Sequence, residues 1–153
     1  MIVVDASLWL DLFNKRDRLR LELAESFFAK VEGLAIYEPT LFKVELAGLL
    51  SRYNPRSIVE KLIEEIMARI RLCRDLDEDA YRVALATGCR AADAYYIACA
   101  SRTNSVLFSN DRTQTINARR YGIEAYYVLE EREQAFSRIE ELRRSLHTSA
   151  THR

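Results

Sequence analysis

A chain of 153 residues, 49% hydrophobic and 30% charged, is most simply one domain around one core, and this mix excludes disorder over most of its length. Its 23 Lys and Arg balance 23 Asp and Glu, so no overall field holds nucleic acid and any such binding needs a local patch. No stretch reaches the roughly 20 apolar residues of a membrane span, and no signal peptide precedes the first hydrophobic run; a cytoplasmic protein without a membrane segment is expected.

Ile2-Val3-Val4 reads as a strand buried on both faces, as at the centre of a parallel sheet, and it ends in Asp5. Ala6 to Phe13 is a short predicted helix, and Leu19 to Val31 repeats apolar residues at helical spacing before Gly33 stops it. Leu34 to Tyr37 is a second strand. Glu38 is biased to extended geometry by Pro39, and Thr40 is placed to cap a helix from Leu41 to Tyr53. After Asn54-Pro55, residues Pro55 to Ala68 form an amphipathic helix. Ile70 to Cys73 is a third strand, Asp77 to Thr87 a helix with an acidic first turn, and Ala91 to Arg102 another. Ser105 to Phe108 is a fourth strand, followed by Ser109-Asn110-Asp111 and a helix to about Tyr121. Ala125 to Val128 is a fifth strand. Glu131 to Leu146 is a final charged helix, and the polar remainder is expected to fray.

Strands alternating with helices define an α/β fold, a mainly parallel five-stranded sheet with helices on both faces. Residues 1–130 carry the pattern; 131–153 form a C-terminal helix and tail belonging to the same domain. The two helices between strands two and three exceed what a crossover needs and predict a projecting hairpin or an interface. The apolar faces of Leu19–Val31 and Pro55–Ala68, with Phe27 and Ile63, are the expected contacts of the dimer that the family resemblance set out below implies.

The three cysteines, Cys73, Cys89 and Cys99, contain no C-x-x-C pair and read as reduced thiols. Both histidines, His147 and His152, lie in the C-terminal tail. A hydrolase built on this chain therefore lacks a core Ser-His or Cys-His pair, and carboxylates or a metal must carry the work. Four acids qualify. Asp5 ends a buried strand, where ligands bind in open α/β sheets; its alternative role is to cap the helix that follows. Glu45 lies among Leu41, Phe42, Leu46 and Leu49, where an unpaired carboxylate costs several kcal/mol in order of magnitude, so it requires a cation, donors or a salt bridge to Arg. Asp93 falls in a first helical turn, a position the helix dipole also favours. Asp111 follows strand four as Asp5 follows strand one, and with Gln114 it can also form a capping box. Two strand ends and two adjoining helices can bring all four to one end of the sheet. Clustered carboxylates raise one another's pKa unless a cation neutralises them. Hard oxygen ligands select Mg²⁺ or Mn²⁺, and such a site suits phosphodiester hydrolysis. Tyr95, Tyr96, Tyr126 and Tyr127 are read as packing residues.

Val3-Val4-Asp5-Ala6-Ser7, Pro39-Thr40 leading to Val44-Glu45-Leu46-Ala47, Ala91-Ala92-Asp93-Ala94-Tyr95-Tyr96 and Leu107-Phe108-Ser109-Asn110-Asp111 together resemble the ordered acidic motifs of PIN-domain nucleases, above all VapC-type toxins. The resemblance runs from Ile2 to Val128. It implies a three-layer α/β/α fold and a Mg²⁺- or Mn²⁺-dependent single-strand endoribonuclease with Asp5, Glu45, Asp93 and Asp111 at the metal. It also implies supporting hydroxyls at Ser7 and Ser109, a homodimer, and a small antitoxin partner that fills the active-site groove. Arg90 and Arg112, beside the acids in sequence, are candidate phosphate contacts or plain surface charge. Three further readings stand beside this one: an RNA-processing PIN nuclease outside toxin–antitoxin systems, a non-catalytic RNA- or partner-binding module, and a phospho-accepting signalling domain. The last wants a Lys after the fifth strand, and the four lysines are Lys15, Lys30, Lys43 and Lys61.

Overall fold

The computed structural model describes residues 1–150. Five strands, β1 (Ile2–Val4), β2 (Ile36–Pro39), β3 (Arg71–Cys73), β4 (Val106–Ser109) and β5 (Ala125–Tyr127), form one sheet in the order β3-β2-β1-β4-β5. Every neighbouring pair is parallel, so the mainly parallel sheet expected from the alternation is wholly parallel. The first strand of the chain is the central one. Its three side chains are fully buried, which explains an unbroken apolar run where a half-exposed strand would alternate.

Eight helices connect and cover the strands: α1 (Ala6–Asp11), α2 (Arg18–Lys30), α3 (Leu41–Leu50), α4 (Arg56–Met67), α5 (Asp77–Thr87), α6 (Ala91–Thr103), α7 (Arg112–Arg120) and α8 (Arg132–Ala150). Helix α6 lies across β2, β1 and β4 with α5 and α7 beside it, while α1 packs on α2 and α3, and α2 on α8. The α1/α2 layer is held by aromatics. The rings of Trp9 and Phe28 are 4.3 Å apart, Trp9 and Phe42 5.9 Å, and Phe27 and Phe108 5.3 Å. Arg69 stacks its guanidinium over both Trp9 and Phe28.

Several expectations need correction. Strand β2 lies two residues later than its apolar run, so that Glu38 and Pro39 belong to it, with Pro39 as its last residue opposite Cys73 of β3. Thr40 does not cap α3, since its backbone is already helical and its side chain makes no capping bond. Phe27 and Ile63 are not free for a dimer contact: Phe27 is fully buried and Ile63 nearly so within this one chain. The apolar stripe of an amphipathic helix is spent first on its own core. The C-terminal helix continues to Ala150, beyond the expected Leu146; of the expected frayed tail, residues 151–153 lie outside the described residues. Helices α3 and α4 do pack as a hairpin, with a groove of about 610 Å³ between them lined by Lys43, Ala47, Arg56, Ile63 and Met67.

Candidate active site

The carboxyl ends of β1 and β4 lie side by side, with Val4 in register with Phe108. The next residues of both strands therefore meet. Asp5 donates its own N–H to the Phe108 carbonyl at 2.9 Å, and its side chain points away from a capping role, making no cap bond to α1. Instead Asp5 Oδ2 accepts the hydroxyls of Ser7 at 2.7 Å and Ser109 at 2.9 Å. Ser109 Oγ in turn accepts the Asp111 N–H at 2.9 Å, and Ser7 Oγ accepts the Asn110 N–H at 2.9 Å. Two small hydroxyls thus lock the ends of the two strands together and aim one Asp5 oxygen.

Asp111 serves two purposes through its two oxygens. Oδ1 caps α7, accepting from the N–H groups of Thr113 at 2.9 Å and Gln114 at 3.3 Å, while Oδ2 lies 3.5 Å from the Arg90 guanidinium. The expected reciprocal capping box is only half made: the Gln114 amide reaches the Asp93 carbonyl instead. Asp93 sits in the first turn of α6 and is 5% exposed. Its Oδ2 is buried without a hydrogen-bond partner; Arg90 Nε, 3.7 Å away, is an ion pair beyond hydrogen-bonding distance. Glu45, half-buried on α3, accepts the Tyr96 hydroxyl at 2.9 Å.

Asp5, Glu45 and Asp93 each feel the neighbouring acids. Burial pushes the Asp93 carboxyl up to about 6; Arg90 opposes that, and Asp5 and Asp111 add to it. Burial raises Asp5 against the pull of its two serine hydroxyls, with Asp111 raising it further. Burial raises Glu45, Tyr96 holds it down, and Asp5 and Asp93 push it up again. Among the described residues no three His, Cys, Asp or Glu side chains are already drawn together as a metal cage. The donor chemistry nevertheless fits a hard divalent cation: an all-oxygen set under mutual repulsion, with a buried, unpartnered Asp93 oxygen and Arg90 as the nearest positive charge.

Arg90, 76% exposed, bridges Asp93 and Asp111. Arg112 is engaged elsewhere, held bidentately by Glu130 at 2.6 and 2.7 Å with its guanidinium over the Tyr127 ring. Three residues at this edge escaped the sequence reading. Tyr96, set aside as packing, is the donor to Glu45; its spacing of three from Asp93 on one helix was the available signal. Asn110 binds Asp11 through its amide nitrogen at 2.7 Å and accepts the Leu129 N–H at 3.1 Å, tying α1 and the turn before α8 to the end of β4. Glu38 is a fully buried acid inside β2, and burial, with Asp5 adding to it, pushes its carboxyl well above the usual range. Trp9 lies close enough to moderate that rise, yet its indole N–H and Glu38 Oε2 both lack hydrogen-bond geometry to any partner.

A wholly parallel sheet flanked by helices, with Asp5 and Asp111 at the ends of its central strands β1 and β4 and Glu45 and Asp93 on helices α3 and α6, defines an α/β protein with an acidic edge at its switch point. The chain belongs to the PIN domain family, whose profile matches residues 2–119. Among solved structures it is similar to PAE2754 from Pyrobaculum aerophilum, at 21% identity and a TM-score of 0.57, covering 92% of this chain and 96% of that one. It is also similar to FitAcB from Neisseria gonorrhoeae, at 16% identity and a TM-score of 0.58, covering 82% and 96% respectively. These likenesses bear out the fold. No curated protein matches the sequence. No helix among the described residues is long and apolar enough to cross a membrane.

Proposed function

We propose that this protein is a metal-dependent single-strand endoribonuclease, the toxin of a VapBC-type toxin–antitoxin pair. The observation that carries the proposal is the acid cluster, where each of Asp5, Glu45 and Asp93 is raised by at least one of the other acids and one Asp93 oxygen is buried without a hydrogen-bond partner. Asp5, Asp93 and Asp111 would hold Mg²⁺ or Mn²⁺, with Glu45 completing or orienting the set. Such an ion supplies a water of lowered pKa and stabilises charge on the phosphodiester oxygens. The chain's own groups prepare that site. Ser7 and Ser109 aim Asp5, the helix cap fixes Asp111, and Tyr96 favours the ionised form of Glu45. Arg90, exposed and paired with Asp93 and Asp111, would turn from the acids to a substrate phosphate. Arg112 would reach a phosphate only by giving up Glu130. The VapC likeness of the motifs also supports a homodimer and a small antitoxin covering the acidic edge, and the docking of α8 on α2 and β5 supports counting residues 131–153 with the one domain.

The test is cleavage of labelled single-stranded RNA by the wild type and Asp93→Asn with Mg²⁺, Mn²⁺ or EDTA, after circular dichroism shows the variant folded. Cleavage that needs the metal and is lost in the variant is the expected result. A folded, partner-free wild type that leaves a broad RNA pool intact in both metals would refute the nuclease reading and favour a binding module.

A further inference from the structure

Glu38 is the one fully buried acid of this chain that the proposed chemistry leaves unused. It occupies the third position of β2, directly beside the central strand. Its Oε1 accepts the Val4 N–H at 2.8 Å, and its Oε2 is buried without a partner. Val4 is the last residue of β1 and the one before Asp5. The peptide leading into Asp5 is thus gripped from both sides, by the Glu38 side chain on the β2 side and, at the next residue, by the Phe108 carbonyl on the β4 side at 2.9 Å. Ile36, two residues before it on the same strand, is buried and apolar. A residue that only filled space here would be apolar too, because an acid leaves one oxygen stranded. What the acid adds is reach: a side-chain acceptor extending one residue past Tyr37, the last β2 residue paired with β1.

We infer that Glu38 is a positioning residue for the acidic edge, holding the end of β1 so that the Asp5 carboxylate faces Asp93 and Asp111. The inference rests on reading those acids as the cation site, and it assigns to Glu38 the part that outer groups play around metal ligands, orienting a donor without touching the ion.

Two substitutions separate reach from charge. Glu38→Gln keeps the length and the acceptor oxygen while losing the acidity; Glu38→Asp keeps the acidity but withdraws the acceptor by one methylene. Both are made in the full chain and compared by Mn²⁺ titration, by melting in EDTA, and by the amide exchange of Val4 and the carboxyl ¹³C shift of Asp5. The expected result is Mn²⁺ affinity near wild type for Glu38→Gln and about tenfold weaker or more for Glu38→Asp, the size of effect that follows loss of a group orienting a metal ligand. Faster Val4 exchange and a moved Asp5 resonance accompany the Asp variant. Should Glu38→Asp bind Mn²⁺ like the wild type, or Glu38→Gln weaken it as much as Asp does, the inference is overturned; a lowered melting temperature alone marks a purely structural role. A wild type that binds no Mn²⁺ sinks the cation-site reading, and the Val4 and Asp5 signals still decide: unchanged in the Asp variant, they overturn the positioning role as well.

Discussion

Replacing Asp93 by Asn should make the metal-free protein more stable. Burial and the Asp5 and Asp111 charges lift the Asp93 carboxyl from 3.8 to about 6, in spite of Arg90. Its folded pKa therefore lies above its unfolded one. The folded state binds more protons between these values, so stability falls as pH rises from about 4 through about 6 and stays low above that. A span of about two pH units, at about 1.4 kcal/mol each, gives roughly 3 kcal/mol of destabilisation at pH 7.5. Asn keeps the shape and loses the charge, and with it about 0.3–1 kcal/mol of favourable contact with the α6 N-terminus. A net gain of roughly 2 kcal/mol remains, which for a chain of this size raises the melting temperature by roughly 4–8 °C. The assay is thermal unfolding in EDTA of wild type and variant, from pH 4.5 to 8. The difference should be largest above pH 6 and shrink toward pH 4.5, where the wild-type carboxyl is protonated too. Added Mn²⁺ should reverse the order, because only the wild type then gains binding free energy, about 2.7 kcal/mol at a hundredfold excess over Kd. A folded Asp93→Asn that melts below the wild type in EDTA at pH 7.5 would refute the reasoning.

Arg90→Ala should tighten Mn²⁺ binding, because the ion no longer displaces a guanidinium from Asp93 and Asp111. Two exposed pairs at about 0.2–1 kcal/mol each set the gain at roughly 2- to 30-fold; weaker binding in a calorimetric titration would mean that Arg90 helps to shape the site. Tyr96→Phe removes the donor that favours ionised Glu45, so Glu45 should titrate at higher pH and the acid limb of the Mn²⁺-binding profile should move up with it. The variant should also lose about 1–2 kcal/mol in urea unfolding, and an unmoved profile counts against the assignment. Ser109→Ala removes the hydroxyl shared by Asp5 and the Asp111 N–H; a loss of about 1–3 kcal/mol together with weakened Mn²⁺ binding is expected, and stability loss without a change in affinity would make Ser109 purely structural.

Much of this was legible in the residues, for physical reasons. Strands buried on both faces read as plain apolar runs, so β1 and β4 stood out, and each was followed by its acid. Helix faces carried enough periodicity to place Glu45 and Asp93. What was hidden depended on contacts across the fold. Glu38 reads locally as a residue stiffened by Pro39, and only the sheet shows it reaching a peptide 34 residues away. Tyr96 shares its apolar body with every packing tyrosine, and its hydroxyl finds Glu45 across 51 residues. Phe27 and Ile63 were misread as contact residues for a related reason: one chain's periodicity shows that a face is apolar, and does not show whether the same chain already covers it, as it does for these two.

The pairing of Asp5 with Ser109 spans 104 residues, and this has a bearing on synthesis. The central strand leaves the ribosome first, but the neighbour that completes its acidic end is made late. At about 5–20 residues per second the interval between the two is roughly 5–20 seconds. Throughout it the nascent chain carries Asp5 without Ser109, Asp93 arrives shortly before β4, and Asp111 closes the set last. A nascent chain that has not yet reached Asp111 therefore lacks the full acid set, and a premature stop anywhere before Asp111 yields a fragment in which that set stays incomplete.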